Sequence, residues 1–326
     1  MYKNKKIYVA PMMQYTDKHD RYFLRIISKN VILFTEMIPS NAIIHGDTKK
    51  LLEYNSNEHP IILQVGGSDP SEISKCAEIA KNKFNYDGIN INVGCPSKKV
   101  ENGMFGACLM DKPELVSECI KEIKRNSNIP VSVKCRIGLG EKQSYSFLKK
   151  FIVNVKKSGC KQFFIHARNA ILSKLNPKKN RTIPPLNYGY VYKIKKEFPD
   201  LEIIINGGID NINSIKKHLH FVDGVMIGRE IYKNPFFLKK IEKEIFKNKM
   251  LKTRKKVLEE LVPYVENQIK TNKASIQSIT RHTFGLFTGI KGSKRWKQYL
   301  NKINHMEGNV KDIILNGAKN INEENL

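Results

Sequence analysis

Cys95 stands near the end of Asn90-Ile-Asn-Val-Gly-Cys-Pro-Ser97, where alternating polar and apolar residues give way to glycine and proline. Asn90 and Asn92 share one face while Ile89, Ile91 and Val93 share the other, the two-residue period of a strand. Gly94 and Pro96 then force a turn, so the thiol is presented at the strand's carboxyl end. Two chemistries are open to it. A free thiol titrates at about pH 8.5, so it is mostly protonated at neutral pH and can act as a general acid. Lowered by Lys98 or Arg136 it would become a nucleophile, although no activating partner adjoins it in sequence. The plain alternative is a buried structural cysteine, which the flanking Gly94 and Pro96 oppose.

Other residues invite a ligand. Lys134 lies on the inward face of its strand with Ser132 and Arg136, and a buried amine is expensive unless something anionic answers it. An ion pair to Glu36, a Schiff-base amine of an aldolase, and a cation beside an anionic reduced flavin all remain open. Gln64 and His166 also point inward by strand parity and offer hydrogen bonds to a planar heterocycle; a satisfied core histidine is the plain reading of His166. Met12 and Met13 read as apolar cover for a ring or as core. Ile204-Ile-Asn-Gly-Gly208 and Val225-Met-Ile-Gly-Arg229 place two glycine turns where backbone N–H groups, a helix start and Arg229 can cradle a phosphate, against the simpler reading of two tight turns. The loop from Ser173 to Pro185 is basic and proline-stiffened, with Lys174, Lys178, Lys179 and Arg181. In the tail, Thr280-Arg281-His282 and Lys291-Gly-Ser-Lys-Arg-Trp296 set arginine among aromatics, a pattern that suits phosphate contact with base stacking.

The elements that position these groups follow from periodicity. Strand-like runs recur at Ile7–Pro11, Ile32–Met37, Ile61–Gly67, Gly88–Gly94, Val131–Gly138, Gln162–Arg168, Glu202–Gly208 and Gly224–Arg229. Segments of helical character separate most of them, such as Pro70–Lys83, Pro113–Lys124 and Ser146–Lys157. Eight strand-helix repeats predict a (β/α)8 TIM barrel with its site at the strands' carboxyl ends; a doubly wound open sheet is the alternative. Past Asn234-Pro235 the strand signals stop. The reading is therefore a barrel domain over 1–245 and a helical domain over 246–326, with Pro263 kinking the first tail helix or delaying its start.

The chain has 326 residues and a formal charge of +26. Such a field attracts a polyanion, nucleic acid above all, although only 10 of the 57 basic residues are Arg and the Lys excess also fits AT-rich coding. No apolar run is long enough to span a bilayer, and the Lys-rich start passes directly into a strand-like run, leaving no room for a signal peptide. The six cysteines form no regular framework. A cytoplasmic protein without membrane or metal is expected.

In order along the chain, Ala10-Pro-Met-Met13, Tyr15-Thr-Asp17, Leu63-Gln-Val-Gly-Gly-Ser-Asp-Pro70, Asn90 to Ser97, Phe105-Gly-Ala-Cys-Leu-Met110, Val133-Lys-Cys-Arg-Ile-Gly138, His166-Ala-Arg168, Asn206-Gly-Gly208, Asp223 to Arg229 and Ile279-Thr-Arg-His282 resemble the tRNA-dihydrouridine synthases, most closely their bacterial A-type branch. The resemblance implies an FMN-bound barrel and a helical tRNA-binding domain that reduce uridine to 5,6-dihydrouridine at position 20, and often 20a, of the D-loop with NADPH. It implies that Pro11, Met12, Met13 and Gln64 line the flavin, that Lys134 and His166 hydrogen-bond it, and that Asn206, Gly207, Gly208, Gly228 and Arg229 hold its phosphate. It further implies hydride transfer to uracil carbon 6, a proton from Cys95 to carbon 5, orientation of the base by Asn92, and tRNA contacts by Lys178, Arg181 and Arg281. Gln14 and Tyr15 depart from a commoner aromatic-acidic pair. A monomer suits so large a ligand. Two readings from other classes stand beside this one: a Schiff-base aldolase acting through Lys134 on a sugar phosphate, and a non-catalytic RNA-binding protein that uses the barrel as scaffold.

Overall fold

The computed structural model describes residues 5–97, 100, 103–172, 175–319 and 321; Lys98 and Lys174, singled out above, lie outside them. Eight parallel strands run β1 (Lys6–Val9), β2 (Leu33–Pro39), β3 (Ile61–Gly66), β4 (Gly88–Val93), β5 (Val131–Leu139), β6 (Gln162–Ala170), β7 (Glu202–Asn206) and β8 (Gly224–Ile227). β1 pairs with β8, and each later strand with its neighbour down to β2. A parallel bridge from Tyr8 to Ile32, with Val9 N–H donating to the Ile32 carbonyl at 2.9 Å, brings β1 back to β2. The sheet therefore closes into a barrel, and the open-sheet alternative fails.

Helices follow the strands because the chain supplies their starts. Asp17, Asp69, Ser144, Asn187, Asn211 and Thr253 each place a side-chain oxygen on an N–H of a helix's first turn, each such cap being worth about 1 kcal/mol. The expected helices appear at Pro70–Asn82, Pro113–Asn126 and Tyr145–Lys157, packed on the sheet by Ile73, Ala77, Ile120, Ile123, Leu148 and Ile152.

Inside the barrel the layers differ in polarity. Tyr8, Phe34, Ile62, Phe164, Ile204 and Met226 fill the lower part, with Tyr8 edge-on to Phe164 at 4.8 Å between ring centroids. One residue pair further along the strands come Gln64, Asn92, Lys134, His166 and Asn206. The apolar plug forces the polar chemistry to the carboxyl ends.

Beyond β8 the chain is helical: Arg229–Lys233, Phe237–Glu244, Arg254–Asn272, Ile276–Thr280, Ser293–Asn301 and Val310–Asn316. Two expectations need correction. Pro263 does not delay its helix, which starts at Arg254 and runs past it; the proline faces solvent while Leu258, Leu261, Val262 and Val265 are buried, so packing carries the helix through. Trp296 is no stacking platform. It is fully buried, edge-on to Phe287 at 5.1 Å between ring centroids and with its indole N–H donated to the Thr283 carbonyl at 2.8 Å, part of the hydrophobic core that the tail shares with the barrel. The tail docks on the helix Lys18–Ile27, where Tyr264 stacks on Tyr22 at 3.8 Å and bonds His19 Nδ1 at 2.8 Å.

Candidate active site

Cys95 is held by its backbone from three sides. Asn92 Oδ1 accepts from the N–H groups of Gly94 (3.1 Å) and Cys95 (3.0 Å). Arg136 Nε donates to the Gly94 carbonyl at 3.0 Å. The Cys95 carbonyl accepts from Ala107 N–H at 3.0 Å, an approach that needs Gly106, with φ +77° and room for no Cβ, since one would lie 2.7 Å from that carbonyl oxygen. Asn92 is fixed in turn by a relay of amides: its Nδ2 donates to Gln64 Oε1 (2.9 Å), Gln64 Nε2 to Asn90 Oδ1 (2.8 Å), and Asn90 Nδ2 to Ser132 Oγ (2.9 Å). These polar groups are buried, so each must find a partner. Burial pushes the mostly buried Cys95 thiol above its ordinary pKa, outweighing the Ser97 N–H, Arg136, Lys134 and Arg181. At neutral pH it is protonated, the form a general acid requires and a nucleophile does not.

Across β5 to β7, Lys134 Nζ donates to Asn206 Oδ1 at 3.3 Å, and Asn206 Nδ2 to the Met226 carbonyl at 2.8 Å. The ion pair with Glu36 does not form; that carboxylate accepts from Gln14 N–H instead. Burial, helped by Arg136, pushes the Lys134 amine down to about 8. Burial and the surrounding Arg136, Lys134, Arg168 and Arg229 hold His166 well below its usual pKa, so its imidazole is neutral.

The two glycine turns stand together as expected. Gly207 and Gly208 have φ of +118° and +67°, and a Cβ would meet His166 Cδ2 at 2.8 Å from the first and Leu186 Cδ1 at 2.7 Å from the second. Gly228 sits under Ala10 and Met12, whose sulfur would lie 3.6 Å from its Cβ. The helix expected to lend its dipole here, Arg229–Lys233, has only five residues, so the charge comes from side chains. Lys134, Arg136, Arg168, Arg181 and Arg229 gather at this mouth. Among the described residues Arg136 is tied only to carbonyls, those of Gly94, Asn169 (3.1 Å) and Asn180 (2.9 Å). Arg229 Nη2 donates to the Arg181 carbonyl at 3.1 Å. Arg168 leaves Nε buried without a partner. Among the described residues none of the five pairs with a carboxylate, and such a cluster asks for an anion. Around the opening Met13, Tyr15, Met104 and Ile183 are exposed apolar side chains.

Sequence reasoning missed three residues. Asn180, fully buried, folds the basic loop by bonding the Ile171 N–H and the Ile171 and Leu175 carbonyls, so that Lys178 is exposed and Arg181 faces the mouth. Tyr188 Oη donates to the Gly207 carbonyl at 2.6 Å. Asp17 joins the tail to the loop after β1: Arg281 Nη2 reaches its Oδ2 at 2.6 Å, and His282 Nε2 bonds it at 3.0 Å. Against the effect of burial, these partners hold the Asp17 carboxyl well below its usual range. Only Asp17 left a trace in the sequence, as part of Tyr15-Thr-Asp17. No three His, Cys, Asp or Glu among the described residues group as metal ligands, and no described helix is long and apolar enough to cross a membrane.

The model of the family described as dihydrouridine synthase matches residues 8–322. A tRNA-dihydrouridine(20/20a) synthase of Vibrio vulnificus is 45% identical over 321 residues, 98% of each chain. Its namesake in Escherichia coli is 48% identical over 302 residues, 92% of this chain and 87% of that one. Among solved structures, a 2-naphthoyl-CoA reductase complex aligns with a TM-score of 0.53 at 11% identity, covering 74% of this chain and 52% of that one. The old yellow enzyme homologue of Zymomonas mobilis gives 0.52 at 11% identity, over 76% and 90%. Such distant likenesses show the barrel fold alone. The family match across nearly the whole length, with relatives approaching half identity, leaves neither an aldolase nor a non-catalytic scaffold standing: the chain belongs to the dihydrouridine synthase family.

Proposed function

We propose that this chain reduces uridine to 5,6-dihydrouridine in the D-loop of tRNA, at position 20 and its neighbour 20a, with FMN as resident cofactor and NADPH as reductant. The observation that carries the reading is a thiol kept protonated at the edge of a glycine-lined mouth whose cations Lys134, Arg136, Arg168, Arg181 and Arg229 pair with no carboxylate among the described residues. The names of the curated relatives supply the substrate and positions.

The residues fit the cofactor. Gly207, Gly208, Gly228, Arg229 and Asn206 would hold its phosphate, Lys134 and the neutral His166 would hydrogen-bond its ring, and Pro11, Met12 and Met13 would cover it. Gln64, whose amide is engaged by Asn90 and Asn92, would floor the ring. When bound and reduced, FMN supplies the hydride that saturates uracil carbon 6. Cys95 gives its thiol proton to carbon 5 and is reprotonated from solvent, while Asn92 holds the turn that aims it. The target base must leave its stack to reach this depth. Lys178, Arg181 and Arg281, with the tail helices from Arg254 to Asn316 as a docking arm, neutralise the phosphates around it. The enzyme works as a cytoplasmic monomer in this reading.

Cys95→Ala tests it directly. The variant should stay yellow and bind tRNA yet form almost no dihydrouridine on unmodified transcript; wild-type activity would remove Cys95 from its role. A colourless wild-type protein that takes up no flavin would remove the cofactor.

A further inference from the structure

The phosphate turn is gripped from outside by a side chain that has no part in the reading above. Tyr188 opens the helix Tyr188–Glu197 and donates its hydroxyl to the Gly207 carbonyl at 2.6 Å. A peptide unit is planar and trans, so aiming this C=O at Tyr188 aims the Gly208 N–H the opposite way. That N–H finds no partner among the described residues. Two successive glycines at positive φ leave a turn free to flip its peptide unless something pins it. The phenol can pin it because it is itself braced: its ring meets the His218 ring edge to face at 4.4 Å, and His218 Nδ1 bonds Tyr192 Oη at 2.7 Å. Asn187, one residue before, ties this segment to β6 through its N–H and the Ala167 carbonyl at 2.9 Å. The orphaned Nε of Arg168 belongs to the same corner, since Arg168 is the cation that acts on the Tyr188 phenol.

Resting on the flavin reading, we infer that Tyr188 is a positioning residue that sets the Gly207–Gly208 peptide for the cofactor's phosphate, and thereby makes the site prefer a phosphorylated flavin over the same ring system without phosphate.

The test uses full-length protein stripped of flavin and titrated with FMN and, separately, riboflavin, followed by quenching of flavin fluorescence. Tyr188→Phe keeps the ring on His218 and removes only the hydroxyl. FMN affinity should fall roughly tenfold, the effect of about one hydrogen bond, while riboflavin affinity moves less than about twofold. Tyr192→Phe, which loosens the brace and leaves the phenol in place, should give a smaller loss with the same selectivity, and keeps the inference testable if Tyr188→Phe folds poorly. Equal losses for both flavins, or undiminished FMN binding in both variants, would overturn the role of Tyr188 and leave the flavin reading intact. A wild-type protein that binds FMN no better than riboflavin would instead overturn the phosphate cradle itself.

Discussion

Asn92→Ala separates two roles for one residue, a contact to RNA and a brace for the thiol. The side chain makes three hydrogen bonds, to Gly94 N–H, Cys95 N–H and Gln64 Oε1, between 2.9 and 3.1 Å. At about 1 kcal/mol each, their loss should destabilise the protein by about 3 kcal/mol, a drop of roughly 5 °C in melting temperature. The larger effect is on geometry. The turn keeps Arg136 and Ala107 as anchors, so Cys95 stays near the mouth but loses its fixed aim. A misplacement on the order of 1 Å lowers a rate by about a hundredfold. Single-turnover reduction of unmodified tRNA should therefore slow by roughly 10- to 100-fold, while tRNA affinity, measured by filter binding, stays within about twofold of wild type. If the rate constant were unchanged and the whole loss lay in affinity, Asn92 would be an RNA contact and the bracing argument would be wrong.

The Lys134 amine, pushed down to about 8 by burial and by Arg136, is a cation below that pH and neutral above it. FMN affinity should accordingly weaken as the pH rises through about 8, and Lys134→Met should abolish that limb in a fluorescence titration. Arg281→Ala should weaken tRNA binding and make its log-log salt dependence shallower by roughly 0.7 to 0.9, one phosphate contact; an unaltered slope would leave Arg281 only a brace for Asp17. Trp296→Ala should destabilise the tail by about 3 to 5 kcal/mol in urea titrations. Weaker tRNA binding from a variant of unchanged stability would restore a stacking role to the indole.

Strand alternation made the inward face of Gln64, Lys134 and His166 legible, and set Asn92 on one face with Asn90, while glycine and proline marked the turn at Cys95. Distances along the chain hid the rest. Asp17 and Arg281 lie 264 residues apart, and nothing in either motif says that they meet. Arg136 reads from the sequence as a cation that could lower the Cys95 thiol, yet its described partners are three carbonyls, which carry no sequence signature. Asn180 looks like loop filler between basic residues because burial of a short polar side chain depends on how the loop folds back on itself. Trp296 misled for the opposite reason: indole beside arginine suits an RNA surface and a small core equally well, and only packing decides.

Five like charges held within one mouth, none of them paired with a carboxylate among the described residues, repel one another. Any small dianion that settles there relieves that repulsion. Inorganic phosphate or sulfate in a storage buffer should thus raise thermal resistance of the flavin-free form at millimolar levels where chloride of equal ionic strength does not, and should slow its reconstitution by occupying the seat first. Preparations handled in different salts would then differ in stability and in yellowness for a single electrostatic reason.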